Sequence, residues 1–234
     1  MGNYTGMSSH YDLIMTSGYY DYTAIVSQLA GVNDARTVLE IGCGTGLILE
    51  GLATRRPDLE IIGIDLTPAM LDIADERLDP FPQAQTHLQN ITELSFKREF
   101  DLAFSYGGVW YFTRDDLGAV SMVSHLRDEE DNVLGLLRLA EHLRPGATLL
   151  LGVQTAHTNY ARPIINGMLY SQQITELPGG FRKQYSLDDD GTAVMEQTID
   201  YRSYDFEEAV NLLARCGFHY HAQDQESLFL EFRR

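Results

Sequence analysis

The run Glu40-Ile41-Gly42-Cys43-Gly44-Thr45-Gly46 constrains this chain more than any other stretch. It follows a short apolar run, residues 37–41, and opens an amphipathic segment, residues 47–54, that stops before Pro57. Glycines at such a turn permit positive φ and let a ligand approach the backbone. A second apolar strand, residues 60–65, follows at once. Strand, glycine turn, helix and strand predict a crossover onto a parallel sheet.

The same order continues. Thr67 and Pro68 start a helix with the stripe Met70, Leu71, Ile73, Ala74 and Leu78. Residues 85–88 read as a weak third strand, 100–105 as a fourth and 147–153 as a fifth. A helix over 131–143 ends before Pro145-Gly146. Right-handed crossovers then require an open, doubly wound, Rossmann-like α/β sheet. The expected fold has seven strands, mostly parallel, with an antiparallel final strand. One domain over 1–234 is expected, with a helical lid at 8–31 and a β-rich insertion at 154–205. Within the insertion, Asp190-Gly191 between two strand-like runs is a hairpin signal. Residues 206–216 read as the last helix, and 218–222 with 228–232 as an antiparallel pair.

The turn discriminates among ligands. A dinucleotide site requires Gly-x-Gly-x-x-Gly, but the third position is Leu47, and Gly46 comes one residue early. No Lys-Ser/Thr follows, so a phosphate-cradling P-loop fits poorly. Glu40 beside the loop disfavours phosphate and suits an ammonium group. Asp65, ending the second strand, can accept both hydroxyls of a ribose. The ligand reads as a nucleoside with a cationic tail.

Charge narrows the partners. The 234 residues carry 17 Lys+Arg against 34 Asp+Glu, a formal charge of −17. Such acidity opposes nucleic acid and anionic lipid as ligands. Cys43 and Cys216 stand in no CxxC or metal-ligand spacing, so no metal and a reducing, cytoplasmic setting are expected. The N-terminus lacks a secretory pattern, and Gly2 lacks the Ser/Thr at position six that myristoylation prefers.

Two stretches at the carboxyl edge of the sheet are candidate substrate contacts. Tyr106-Gly107-Gly108-Val109-Trp110-Tyr111 follows the fourth strand, with Trp110 expected to wall the site. His157, just past the fifth strand, is the best-placed general base. The other histidines carry no comparable signal.

VLEIGCGTG, residues 38–46, with GIDLTPAML, residues 63–71, resembles the first two motifs of class I S-adenosylmethionine-dependent methyltransferases. Residues 100–112 resemble the family's fourth-strand motif, and 137–151 its following helix and fifth strand. The resemblance implies S-adenosylmethionine as cofactor and S-adenosylhomocysteine as product. It implies that Glu40, Gly42, Cys43, Gly44 and Gly46 surround the methionine part and that Asp65 binds the ribose. Leu66 and Met70 would flank the adenine, with Asn90 and Ile91 near its amino group and Tyr106 close by.

The N-terminal tyrosines resemble the lid helices of small-molecule methyltransferases such as glycine N-methyltransferase and the amino-sugar N,N-dimethyltransferases. This resemblance implies a catalytic role for Tyr11 beside His157. Substrate contacts are expected from Tyr19 and Tyr22 here and from Tyr106, Trp110 and Tyr111 at the sheet edge, whereas Tyr20 is expected to pack. The expected activity is methyl transfer to a small molecule, at nitrogen first and at oxygen or carbon otherwise, by a monomer or homodimer. A non-catalytic nucleoside-binding module would share the first motif. A nicotinamide oxidoreductase is opposed by the glycine spacing. A macromolecule methylase would show a basic groove, and none is visible.

Overall fold

A computed structural model describes residues 4–234. Gly2, read above for acylation, lies outside the described residues. Two helices come first, α1 (Ser8–Thr16) and α2 (Tyr22–Ala30), separated at Gly18, whose φ is +83°. Asp21 caps α2 by accepting from the Ala24 N–H at 3.0 Å. Ile25, Val26 and Leu29 make the buried face of α2, and Val26 packs where a Cβ on Gly51 would stand 2.7 Å away.

The alternating core then runs β1 (Thr37–Ile41), α3 (Leu47–Arg55), β2 (Glu60–Asp65), α4 (Pro68–Leu78) and β3 (Ala84–Leu88). A 3-10 turn over Ile91–Glu93 leads to β4 (Phe100–Ser105). A hairpin follows, β5 (Trp110–Arg114) and β6 (Val120–Ser124), and then α5 (Glu129–Glu141) and β7 (Leu143–Thr155). Four antiparallel strands come next: β8 (Tyr160–Pro163), β9 (Leu169–Leu177), β10 (Gly180–Asp189) and β11 (Thr192–Asp205). The chain closes with α6 (Phe206–Arg215), β12 (His219–Gln223) and β13 (Phe229–Arg233).

The first sheet has the order β3-β2-β1-β4-β7, all parallel, continued by β13 and then β12. β13 runs antiparallel to β7, with Leu230 opposite Leu151, and β12 runs antiparallel to β13. These seven strands match the expected doubly wound sheet.

Six further strands depart from the expectation of a single insertion. β7 is 13 residues long and outlasts β4. Its last residues pair with β5, Phe112 opposite Val153, and a second sheet β5-β6-β11-β10-β9-β8 grows from there. The insertion therefore recruits residues 110–124, which precede α5, as well as those after β7. The turn at Asp190-Gly191 has positive φ at both residues, 49° and 85°, as a two-residue hairpin of the twisted kind requires.

The second sheet lies over the carboxyl edge of the first and packs its inner face against α1. Ile14 and Met15 of α1 share one buried cluster with Tyr111, Tyr185, Ile199 and Tyr201. Fully burying a side chain of this size contributes about 1.5–3 kcal/mol, so α1 is fixed by apolar contact as well as by charge.

Candidate active site

The glycine turn is held from below. Gly42 and Cys43 donate their backbone N–H groups to the Ile64 carbonyl, at 2.8 and 3.0 Å. Gly42 has φ +78°, and a Cβ there would stand 2.7 Å from the Gly108 Cα. A Cβ on Gly108 would stand 2.1 Å from the Ile41 carbonyl oxygen. The turns after β1 and β4 thus touch backbone to backbone, which only glycine allows. A cavity lies above them.

That cavity is lined by Gly42, Gly44, Asp65, Leu66, Met70 and Ile91, all expected there. Tyr11 closes it from α1, its ring 3.7 Å from where a Gly44 Cβ would stand. Asp65 accepts from the Gly44 N–H and from the Thr67 N–H, each at 2.9 Å. These bonds aim its carboxylate into the cavity, while burial raises its pKa. Glu40 is 3% exposed, and its Oε2 has no hydrogen-bond partner among the described residues. Burial, then the Asp65 charge, push the Glu40 pKa well up. Glu40 does not itself line the cavity, but its charge couples to Asp65, which does, so a cation there would favour the ionised form of both. The glycine cradle, the ribose-ready carboxylate and the unpartnered Glu40 fit S-adenosylmethionine, a nucleoside with a cationic tail.

Several expected cofactor contacts are corrected. The Cys43 side chain turns under the loop against Gly63 and contributes only backbone. Gly46 faces Ala74 and serves the α3–α4 contact. Asn90 spends its side-chain oxygen on the Thr92 N–H at 3.1 Å, capping the 3-10 turn, and Gln89 lines the cavity instead. Tyr106 points away, toward the Val153 carbonyl at 3.3 Å and the ring of Phe229.

A second, narrow chamber abuts the first, and Tyr4, Tyr11 and Gly107 line both. Its other tyrosines are Tyr19, Tyr20, Tyr111, Tyr185 and Tyr201, so seven of the chain's 13 tyrosines surround it. Their hydroxyls are linked: Tyr201 lies 3.0 Å from Tyr4 and 2.7 Å from Tyr185. His157 enters from beyond β7, its Nε2 2.8 Å from the Tyr111 hydroxyl. Burial and the nearby Lys183 pull the His157 pKa well below the ordinary histidine range. An outer cleft, lined by Tyr19, Tyr20, Tyr106, His157 and Arg162, reaches the chamber's wall.

The expected substrate contacts divide accordingly. Tyr11, Tyr19, Tyr111 and His157 meet at the chamber. Tyr20, expected only to pack, also lines it, and its hydroxyl donates to Gln154 Oε1 at 3.2 Å. Tyr22 lines none of these cavities and packs edge-on against Tyr20. Trp110 is a correction: it is 0% exposed, and its indole donates to Asn132 Oδ1 at 2.8 Å against α5. It supports the fold and does not wall the site.

Two residues were missed. His125, just after β6, lines the cofactor cavity, and burial followed by the Lys183 charge lowers its pKa to about 3. Lys183 of β10 lines the inner chamber, with its Nζ 2.7 Å from the Tyr19 hydroxyl and 3.3 Å from His157 Nδ1. A signal for Lys183 did exist. Phe181, Lys183, Tyr185 and Leu187 share one face of a strand, and Lys183 is the only charge on it.

Known proteins agree with this geometry. Residues 38–129 match the family model described as a methyltransferase domain. A trans-aconitate 2-methyltransferase of Deinococcus radiodurans is 30% identical over 62% of this chain and 48% of its own length. A malonyl-[acyl-carrier protein] O-methyltransferase of Ilyobacter polytropus is 32% identical over 29% of this chain and 25% of its own. The chain thus spans between a quarter and a half of these relatives. The S-adenosylmethionine-bound CalS10, an amino pentose methyltransferase from Micromonospora echinaspora, superposes with a TM-score of 0.73 at 18% identity, covering 96% of both chains. Residues 38–129 thus match a methyltransferase domain, and the chain shares the fold of the solved methyltransferases it superposes on.

Proposed function

We propose that the chain transfers a methyl group from S-adenosylmethionine to a nitrogen of a small molecule held in the tyrosine chamber. The carrying observation is that this chamber abuts the cofactor cavity at Tyr4, Tyr11 and Gly107. The cofactor supplies an activated methyl on a sulfonium, so the protein's task is to align the acceptor and exclude water. Tyr11 borders both spaces and is placed to orient the acceptor atom. The amine must arrive with a free lone pair. His157 is kept neutral by its surroundings. Burial brings the Lys183 pKa down to about 7. His157 is able to receive the proton that the product nitrogen releases.

Oxygen is the second reading. It is favoured by the relative named as an O-methyltransferase and by the Tyr111–His157 pair, which would assist a hydroxyl acceptor. Libraries of amines, phenols and carboxylic acids, incubated with methyl-labelled cofactor, separate the readings. Label in amines supports nitrogen transfer. Label in hydroxyl or carboxyl compounds alone replaces it with the second reading. Tight cofactor binding without label in any acceptor leaves a binding module.

A further inference from the structure

Lys183 is a charge placed where charge is costly. It lies in β10 between Phe181 and Tyr185, while Arg182 and Gln184 face solvent. It is 1% exposed. It is one of only two lysines in the chain, against 15 arginines, and every ion pair among the described residues is made by arginine. No carboxylate among the described residues pairs with it. Its contacts are the Tyr19 hydroxyl, His157 Nδ1 and the faces of Tyr19 and Tyr185, at 5.4 and 4.7 Å from the ring centroids. Two hydrogen-bond partners leave one of three ammonium donors unused. A buried ammonium ordinarily sits opposite an acid, and here the position opposite is the chamber itself.

We propose that Lys183 receives a carboxylate carried by the methyl acceptor, making the substrate a small amine that bears an acid group. This rests on the methyl-transfer reading above and narrows it. Lys183 lines the chamber but not the cofactor cavity, whereas Tyr4, Tyr11 and Gly107 line both. A ligand anchored on Lys183 therefore extends toward the side where the methyl group arrives. A carboxylate hydrogen-bonded to an ammonium is a weak nucleophile, so it anchors and the amine attacks. The chamber walls include tyrosines, Met15, Gly107 and His157 but no Asp or Glu, so an anion meets no repulsion there. The same ammonium disfavours a protonated amine and selects the form with a free lone pair. Local recognition is needed because the chain as a whole, at −17, repels anions.

The test uses protein saturated with S-adenosylhomocysteine. Glycine, β-alanine, 2-aminobenzoate and 4-aminobenzoate are titrated calorimetrically against their primary amides, and the same compounds are offered with methyl-labelled cofactor. Expected is at least a tenfold preference for one or more acids over the matched amide. Lys183→Met should reduce that ratio to about one, by weakening binding of the acid, with S-adenosylhomocysteine affinity unchanged. Lys183→Arg should retain part of the preference. Unchanged S-adenosylhomocysteine affinity reports that each variant is folded, and Lys183→Gln replaces the methionine variant if that one is not. Equal binding of acids and amides, no binding of any acid, or an acid preference that survives Lys183→Met overturns the proposal. Label transfer to neutral amines without acid preference overturns it while sparing nitrogen methylation. Acid binding through Lys183 with no label in any amine instead defeats the methylation reading on which it rests.

Discussion

The Asp12 carboxylate, on α1, accepts a 2.5 Å hydrogen bond from the hydroxyl of Thr45, inside the glycine turn. Its other oxygen pairs with Arg77 of α4, which also bonds the Thr45 carbonyl at 2.8 Å and Glu50 at 2.9 Å. The helix that places Tyr11 over the cofactor cavity is thus latched to the loop that would cradle the cofactor. Charge-assisted bonds of this kind contribute about 1.5–3 kcal/mol when partly buried.

Breaking the latch should loosen the cover. In Asp12→Ala, amide exchange across residues 8–30 is expected to speed up, and cofactor dissociation to accelerate by roughly tenfold. In the unaltered protein, adding S-adenosylhomocysteine should slow exchange in the same segment. Exchange that ignores both the substitution and the ligand would reject α1 and α2 as a lid.

Asp65 carries the next prediction. Its two oxygens already hold Gly44 and Thr67, so the carboxylate is oriented before ligand arrives. Asp65→Ala removes bonds to the ribose and slackens the turn. A loss of about 2 kcal/mol, roughly 30-fold in affinity for S-adenosylmethionine, is expected by calorimetry. Equal affinities, or tighter binding of a nicotinamide dinucleotide, would contradict the assignment of the cavity.

Glu40 should make cofactor binding release protons. Burial, then Asp65, raise its pKa in the ligand-free protein. A cation in the cavity that Asp65 lines lowers that pKa again. At pH values between the two, binding expels a proton, and affinity rises with pH. The raised pKa also means that Glu40 favours folding below its unfolded pKa and loses that contribution as pH rises through its folded pKa. Titrations in buffers of different ionisation enthalpy measure the proton count directly. Glu40→Gln should abolish the release, and an unchanged count would assign the proton elsewhere.

The cofactor half was legible because each of its signals is local. A glycine turn between strand and helix, and an acid at the end of the next strand, need only neighbours in sequence to be read. Asp190-Gly191 is local in the same way. β5 was invisible because Trp110, Tyr111, Phe112 and Thr113 are all buried, so the alternation that marks a half-exposed strand is absent. Trp110 was misplaced for the same reason, since its partner Asn132 lies 22 residues away. The chamber is harder still. It exists only where β10 and β11 fold back over α1, and nothing near His125 in sequence shows that it reaches the cofactor cavity.

His157 carries the last prediction. Its two ring nitrogens face Tyr111 and Lys183, so a hydrogen bond donated by Lys183 to Nδ1 leaves Nε2–H to donate to the tyrosine oxygen. Burial, then the Lys183 charge, hold its pKa well below 6.5. The imidazole is therefore neutral, and ready to take a proton, at pH values where an ordinary histidine would be charged. Any inflection it causes in turnover must fall below pH 6.5, not at it. The depressed pKa also contributes to stability above the unfolded value, a contribution lost as pH falls through the folded one. His157→Ala should lower turnover by roughly 10²-fold. Cofactor affinity should hold, because His157 lines the chamber and the outer cleft but not the cofactor cavity. The variant should also lose less stability on acidification than the unaltered protein. Steady-state rates and denaturant melts across pH 5–8 check all three outcomes. Unchanged turnover would remove His157 from the proton path and leave solvent to accept the proton after transfer.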